Sequence, residues 1–335
     1  LDSAVLSQLQ RCILNVQTLQ PGDTYTGDPN DCGKWRTWVE AGGSDASTPG
    51  SGSSAQAGYS TTAFNTSVGA DTLVGDNTLV GIAGRFDNLW TTTDEPTTFG
   101  KTEGWSGMLY AKQRLSSSTW LTGSFSAGGF STDTTRQVNI QGYPSTEEGS
   151  SSSTAIGGSL RLSHRINTGN QGSLTPSLGL SWLQLNQASY SETTTSNNRA
   201  YVQPGNPLIK TPDPGKASYS LKYDAATYNS VPLELALAFK QPFKAGSTTF
   251  IPRLSLGYAW DLGDTNRALT ASFRSAPKGS FSVDGTPAPT SWFNVGLGLD
   301  VALNNRFSLY FNGLGQLSPG STQSINYNGG FRWSF

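Results

Sequence analysis

From Lys34 onward the chain alternates between apolar and polar residues. In KWRTWVEA, Trp35, Thr37, Val39 and Ala41 oppose Lys34, Arg36, Trp38 and Glu40. In VPLELALAFK, Val231, Leu233, Leu235, Leu237 and Phe239 oppose Pro232, Glu234, Ala236, Ala238 and Lys240. In PRLSLGYAW, Leu254, Leu256, Tyr258 and Trp260 oppose Arg253, Ser255, Gly257 and Ala259. In WFNVGLGLDVAL, Phe293, Val295, Leu297, Leu299 and Val301 oppose Asn294, Gly296, Gly298, Asp300 and Ala302. Successive side chains of a strand point to opposite faces, so each run carries one apolar face and one face of Gly, Ser or charge. Twelve such runs are legible, at 34–42, 56–69, 76–90, 103–115, 118–131, 153–166, 172–188, 228–242, 248–262, 290–303, 306–317 and 323–335.

The connections between these runs alternate in length. One set is short, at Asp71–Gly75, Ser116–Ser117, Asn167–Gln171, Phe243–Ser247 and Asn304–Asn305. The other set is mostly long, at Gly43–Ala55, Thr91–Thr102, Thr132–Ser152, Ser189–Thr227 and Gly263–Pro289, and only Ser318–Ser321 is short. The long stretches are rich in Ser, Thr, Pro, Gly and Asp and read as solvated loops. Short turns on one rim and long loops on the other characterise outer-membrane barrels. A soluble sandwich has no reason to sort loop length by strand parity.

Composition points the same way. Charged residues make up 13% of the 335, about half the usual share of a soluble domain, yet the hydrophobic share is only 35%. No stretch approaches 18 apolar residues, which excludes a transmembrane helix but not a barrel, whose average hydropathy looks soluble. A net charge of -1 gives no electrostatic case for nucleic acid or for anionic membrane surfaces. Leu1 is not a start methionine and no signal peptide is visible, as expected of a mature piece of something longer. Aromatics should form two girdles. The short-turn rim would collect Trp35, Trp120, Phe239, Phe250, Phe307, Trp333 and Phe335. The long-loop rim would collect Trp90, Trp105, Trp182, Tyr258, Trp260, Trp292 and Phe293. The last strand, YNGGFRWSF, puts Phe331, Trp333 and Phe335 on one face with no later segment to cover it. Lipid would cover that face, and pairing with the first strand would leave no open edge in the bilayer.

The only convincing helix is LDSAVLSQLQRCILNVQTLQ, where Val5, Leu9, Cys12, Val16 and Leu19 share a face. Asp2 or Ser3 would cap it and Pro21-Gly22 would stop it. At roughly 30 Å it matches one bilayer in length. Its other faces carry Gln8, Gln10, Arg11, Asn15 and Gln17, too polar to span lipid unaided. By itself it reads equally well as a surface helix.

The terminal GGFRWSF resembles the C-terminal strand of autotransporter translocator domains, the type V secretion barrels. VEAGGS resembles their first strand, and GYSTTAFNTSVGADTLVGDNTLVGIAGRF their second and third. LTPSLGLSWLQLNQASYSE and TTFIPRLSLGYAWDLGD resemble the seventh and ninth. ALTASFRSAPKGSFSVDG resembles the excursion before the tenth, so the likeness runs in order from Lys34 to Phe335.

The resemblance implies an all-β fold, a twelve-stranded antiparallel transmembrane barrel in a bacterial outer membrane with an N-terminal α-helix inside its lumen. Residues 1–33 would form the pore helix and linker, and 34–335 the barrel. Twelve strands should leave a channel close to the 10–12 Å diameter of a helix. The function implied is export of an N-terminal passenger. The partners implied are membrane lipid, the chain's own passenger and the barrel-assembly machinery, with the barrel as a monomer and no nucleic acid.

The side chains expected to line the translocation path are Arg36, Glu40, Arg161, Arg165, Glu234, Lys240, Arg253, Asp300 and Arg332. They are charged and oppose the apolar rows; on the lipid face a Lys or Arg would cost roughly 2–4 kcal/mol near midplane. Some would bond Gln8, Arg11 and Asn15 of the helix. With the helix so placed, residues 21–31 can loop back, and Cys12 and Cys32 either pair or stay as thiols. Asn15 is the sole Asn of the helix, and LNVQ does not resemble a self-cleaving junction. No catalytic, metal or cofactor site is expected. The rival readings are an open porin-like channel and an outer-membrane barrel enzyme. The second would need His164, the sole His, which falls beside a short turn and lacks a partner constellation or GxSxG.

Overall fold

The computed structural model describes residues 35–50, 58–75, 77–93, 97–140, 143–169, 171–197, 219–264, 267–285, 287–304, 306–318 and 322–334. The expected pore helix with Gln8, Arg11 and Asn15, the two cysteines Cys12 and Cys32, and Phe335 lie outside the described residues.

Every regular element among the described residues is a strand. The first wall strands are β1 (Arg36–Thr48), β2 (Tyr59–Val74), β3 (Thr78–Thr93), β4 (Thr98–Arg114), β5 (Thr119–Ile140) and β6 (Tyr143–His164). The last of these is continued by β7 (Ile166–Gly169), and β8 (Gly172–Gln187) follows. Two outer strands come next, β9 (Tyr190–Asn197) and β10 (Leu221–Tyr223). The eighth wall strand is broken into β11 (Ala226–Ser230), β12 (Pro232–Lys240) and β13 (Phe243–Ala245), and β14 (Thr248–Asp261) follows. After the outer hairpin of β15 (Ala268–Phe273) and β16 (Ser280–Asp284), the wall ends with β17 (Ser291–Ala302), β18 (Phe307–Leu317) and β19 (Gln323–Ser334). Each wall strand pairs antiparallel with the next. The closing ladder runs from Arg36↔Ser334 to Ser47↔Gln323, so twelve wall strands form a closed barrel. Closure gives every backbone donor and acceptor at the seam a partner, which lipid could not supply.

The barrel is inside out compared with a soluble protein. Trp105 is 68% exposed and Leu297 64%, while Arg36, Glu40, Lys112, Arg165, Asp300 and Arg332 are buried. Phe331 and Trp333 face outward with the other apolar residues of β19, Ile325 and Tyr327. Rim aromatics cluster: Phe243 stacks on Phe250, and Tyr258 meets both Trp260 and Phe293 edge-on. Trp120 is a correction to the expected girdle. Leu121, Gly123 and Phe125 take the outer face of β5, so Trp120 turns inward, 2% exposed, with the Lys112 ammonium 4.6 Å above its ring. The tight turns of the short rim use positive φ at Gly75, Gly169 and Gly246, where a side chain is disfavoured.

The long connections also differ from expectation. The stretch Thr132–Ser152, read as a loop, continues the β5–β6 ladder out to Ile140↔Tyr143. The stretch Ser189–Thr227 supplies β9 and β10, and Gly263–Pro289 supplies β15 and β16. These pair in the order β6–β9–β10–β15–β16 and form an outer sheet standing on one wall. The physical reason is that both faces of a strand beyond the bilayer meet water. The hydrophobic period of two vanishes there, although Thr and Val still favour extended backbone.

Candidate functional site

The barrel interior is held by side-chain networks that bridge its strands. Arg36 and Asp71 are rung partners of β1 and β2. The Arg36 Nε donates to Asp71 Oδ1 at 2.6 Å, and a second guanidinium nitrogen lies 2.5 Å from the same oxygen. Tyr110 of β4 donates its hydroxyl to Asp71 Oδ2 at 2.9 Å and accepts from Trp38 Nε1 at 2.9 Å. To reach Asp71 it crosses Gly81 of β3, where a Cβ would strike its ring.

On the opposite wall Arg161 of β6 crosses Gly179 of β8 to pair with Glu234 of β12. The Arg161 NH1 also donates to Ser177 Oγ at 3.0 Å, and Asn294 Nδ2 donates to Glu234 Oε1 at 2.7 Å. A third network starts at Arg253, whose Nε lies 3.0 Å from Asp300 Oδ2. Its NH2 donates to Asn312 Oδ1 at 2.5 Å, and Asn312 Nδ2 donates to Asn328 Oδ1 at 2.6 Å. Together these groups give a polar, multiply bonded inner face.

Beyond the membrane belt the inner face ends in a knot around two buried carboxylates, Glu147 at 0% and Glu192 at 2% exposure. Glu192 accepts from Arg136 Nε at 2.9 Å, from the Leu221 amide at 2.9 Å and from the Tyr223 hydroxyl at 3.4 Å. A second nitrogen of Arg136 completes a bidentate pair with Glu192. Glu147 accepts from Ser145 at 2.6 Å, Thr194 at 2.8 Å and Ser220 at 2.5 Å. Tyr190 stacks on Tyr223 with centroids 4.6 Å apart. Burial, then the charge of Glu192, pushes the Tyr190 phenol up to about 12 and the Tyr223 phenol up as well.

The nine charged residues singled out from the sequence lie on β1, β6, β12, β14, β17 and β19, with Arg165 directly after β6. Arg36 is brought to Asp71, Arg161 to Glu234, and Arg253 to Asp300. Glu40, Arg165, Lys240 and Arg332 are buried in the wall as well. Sequence reasoning missed Asp71, Tyr110 and Lys112. Asp71 falls in the expected short connection Asp71–Gly75, whereas β2 runs on to Val74 and makes it a wall residue. Lys112 was legible by parity, since Leu109 and Ala111 take the outer row of β4. His164 is exposed at the short-turn rim, with Nδ1 2.9 Å from Thr119 Oγ1. Among the described residues no group of three His, Cys, Asp or Glu is placed to hold a metal ion.

A family model described as the autotransporter beta-domain matches residues 37–203 and 213–313. No curated protein matches the sequence. The translocator domain of autotransporter NalP from Neisseria meningitidis is 15% identical with a TM-score of 0.67, covering 100% of this chain and 98% of that one. The beta domain of the Bordetella autotransporter Brka is 16% identical with a TM-score of 0.57, covering 90% and 100%. The transport unit of the autotransporter AIDA-I from Escherichia coli is 11% identical with a TM-score of 0.54, covering 96% of each chain. At these identities the likeness concerns the fold.

Proposed function

The chain belongs to the autotransporter beta-domain family, and we propose that the polar inner face described above is the path along which its N-terminal passenger leaves the cell. The barrel is an outer-membrane translocator. The observation that carries the path is the sorting of side chains by strand parity. Leu, Phe and Trp cover the outside, whereas Arg161, Glu234, Arg253, Asn294 and Asn312 line a hydrated interior that can solvate an extended chain. Residues 1–33 serve as pore helix and linker. Gln8, Arg11 and Asn15 face the wall, and the segment before Leu1 leaves through the long-loop rim. Insertion depends on the barrel-assembly machinery, and the barrel works as a monomer. We assign no catalytic step. A porin-like channel is less well supported, because family membership favours export.

A reporter fused upstream of Leu1 tests this in a Gram-negative host. It should reach the surface and be shaved by protease added to intact cells. A photo-crosslinker at Asn294, on the inner face, should capture a stalled passenger, and one at Leu297, on the outer face, should not. A reporter that stays protected in the periplasm, or equal capture at both positions, overturns the proposal.

A further inference from the structure

Two of the interior networks end on amides, and the charged group at the head of each fixes how those amides point. A guanidinium can only donate, and an ionised carboxylate can only accept. Arg253 of β14 donates to Asn312 Oδ1, so Asn312 turns its Nδ2 onward, and that nitrogen donates to Asn328 Oδ1. The relay therefore ends at Nδ2 of Asn328 on β19. Glu234 of β12 works in the opposite sense. It accepts from Arg161 and from Asn294 Nδ2, so this network ends at Oδ1 of Asn294 on β17. Among the described residues nothing bonds to Asn328 Nδ2 or to Asn294 Oδ1. One terminus is a donor and the other an acceptor, and polarisation along each relay strengthens both.

Glycines clear the way for these contacts. Arg253 crosses Gly298 of β17 to reach Asn312, and a Cβ there would lie 3.0 Å from Asn312 Oδ1. Glu234 reaches Asn294 past Gly257, the rung partner of Asn294, where a Cβ would lie 2.9 Å from Glu234 Oε1. Neither terminal amide is sealed off. Both are half-buried, and a cavity of about 160 Å³ opens beside Asn312, Asn326 and Asn328. Asn328 and Asn312 share a row with Gly298, four residues along β17 from Asn294. That separation is roughly 13 Å along the strand. An extended polypeptide offers a carbonyl and an N–H at every residue with a similar rise, so about five residues reach both ends whatever their side chains. A helix spends the same groups on itself.

We propose that Asn328 and Asn294 form a two-point clamp for the main chain of an extended polypeptide. Asn328 Nδ2 donates to a carbonyl, and Asn294 Oδ1 accepts from an N–H. The clamp deepens the reading of the inner face as the passenger's path and rests on that reading.

The test uses the full chain in cells, with the reporter fused upstream of Leu1 and stalled so that a neutral Gly-Ser tract occupies the lumen. One photo-crosslinker is placed at Gln316, the rung partner of Asn294. A second is placed at Ser126, which is paired with buried Met108 on the inner face of β5, six wall strands away. Asn328→Asp keeps an oxygen to accept from Asn312 and exchanges the donor for an acceptor. It should lower capture at Gln316 several-fold relative to Ser126 and leave the urea midpoint of the barrel unchanged. A proline tract in place of Gly-Ser keeps its carbonyls but has no N–H for Asn294. It should also be captured several-fold less at Gln316, and Asn328→Asp should lower that capture further. Unchanged capture at Gln316 in Asn328→Asp, an equal loss at Gln316 and Ser126, or equal capture of the two tracts overturns the clamp while the path stands. No capture at either position in the parent overturns the path, and the clamp with it.

Discussion

The Asp71 knot inside the barrel and the Glu192 knot beyond it use the same chemistry in different mechanical settings. Each buries a carboxylate that accepts from an Arg and from a Tyr hydroxyl. Asp71 joins β1 and β2, which already share a ladder from Arg36↔Asp71 to Thr48↔Tyr59, and it links them to β4. Glu192 ties the long strand β5 to β9 and β10, whose own ladders are short; among the described residues β9 and β10 pair at Lys222↔Ser191 and Tyr223↔Tyr190. Its backbone carbonyl also accepts from Arg274, just past β15, at 2.8 Å. The wall is closed by backbone bonds and decorated by side chains, whereas side chains assemble the outer sheet.

The largest effect should come from Glu192→Ala. Removing one partner of a buried pair costs about 3–5 kcal/mol, and few rungs spread that loss. Protease cleavage between residues 188 and 230 should rise at least about a hundredfold, as expected when local opening is freed by that energy. Heat-modifiable mobility of the barrel should not change; loss of the barrel itself would show that the two regions are mechanically one. Asp71→Asn should cost less, about 1–3 kcal/mol, because the amide still accepts while the charge-assisted bonds weaken. The urea midpoint of the barrel should fall with cleavage of the outer sheet unaltered. If instead the outer sheet responds to Asp71→Asn, the contrast fails.

The smallest effect is a titration. The folded-state value of Tyr190 lies at about 12, above the ordinary phenol value near 10. The neutral phenol is therefore favoured by folding, and its contribution is full below pH 10 and lost as pH rises from 10 toward 12. Subtracting the ultraviolet titration of Tyr190→Phe from that of the parent should give one phenol with a midpoint near 12. A midpoint near 10 means that the knot around Glu192 is open in solution.

Most of the wall was legible from single residues. The parity of Leu254, Leu256 and Trp260 against Arg253 and Ala259 set which side meets lipid, and the structure keeps that assignment. The parity of β5 likewise places Trp120 inward, opposite Leu121 and Phe125, although its position near the rim suits a girdle. The pairs were not legible. Arg161 and Glu234 lie 73 residues apart, and they meet only because β6, β8 and β12 align with Gly179 between them. The outer sheet was hidden because its Ser and Thr carry no hydrophobic period.

Alternation, loop parity and the aromatic last strand therefore determined on their own that the chain closes into a barrel with a wet interior in the outer membrane. Each of these signals repeats locally, and the bilayer and water reward it residue by residue. Which Arg meets which carboxylate, that Trp120 lies under Lys112, and that β5, β9, β10 and Arg274 beside β15 meet at Glu192 were decided only by tertiary structure. Such contacts depend on register and on gaps left by small residues, and both exist only once the strands are paired.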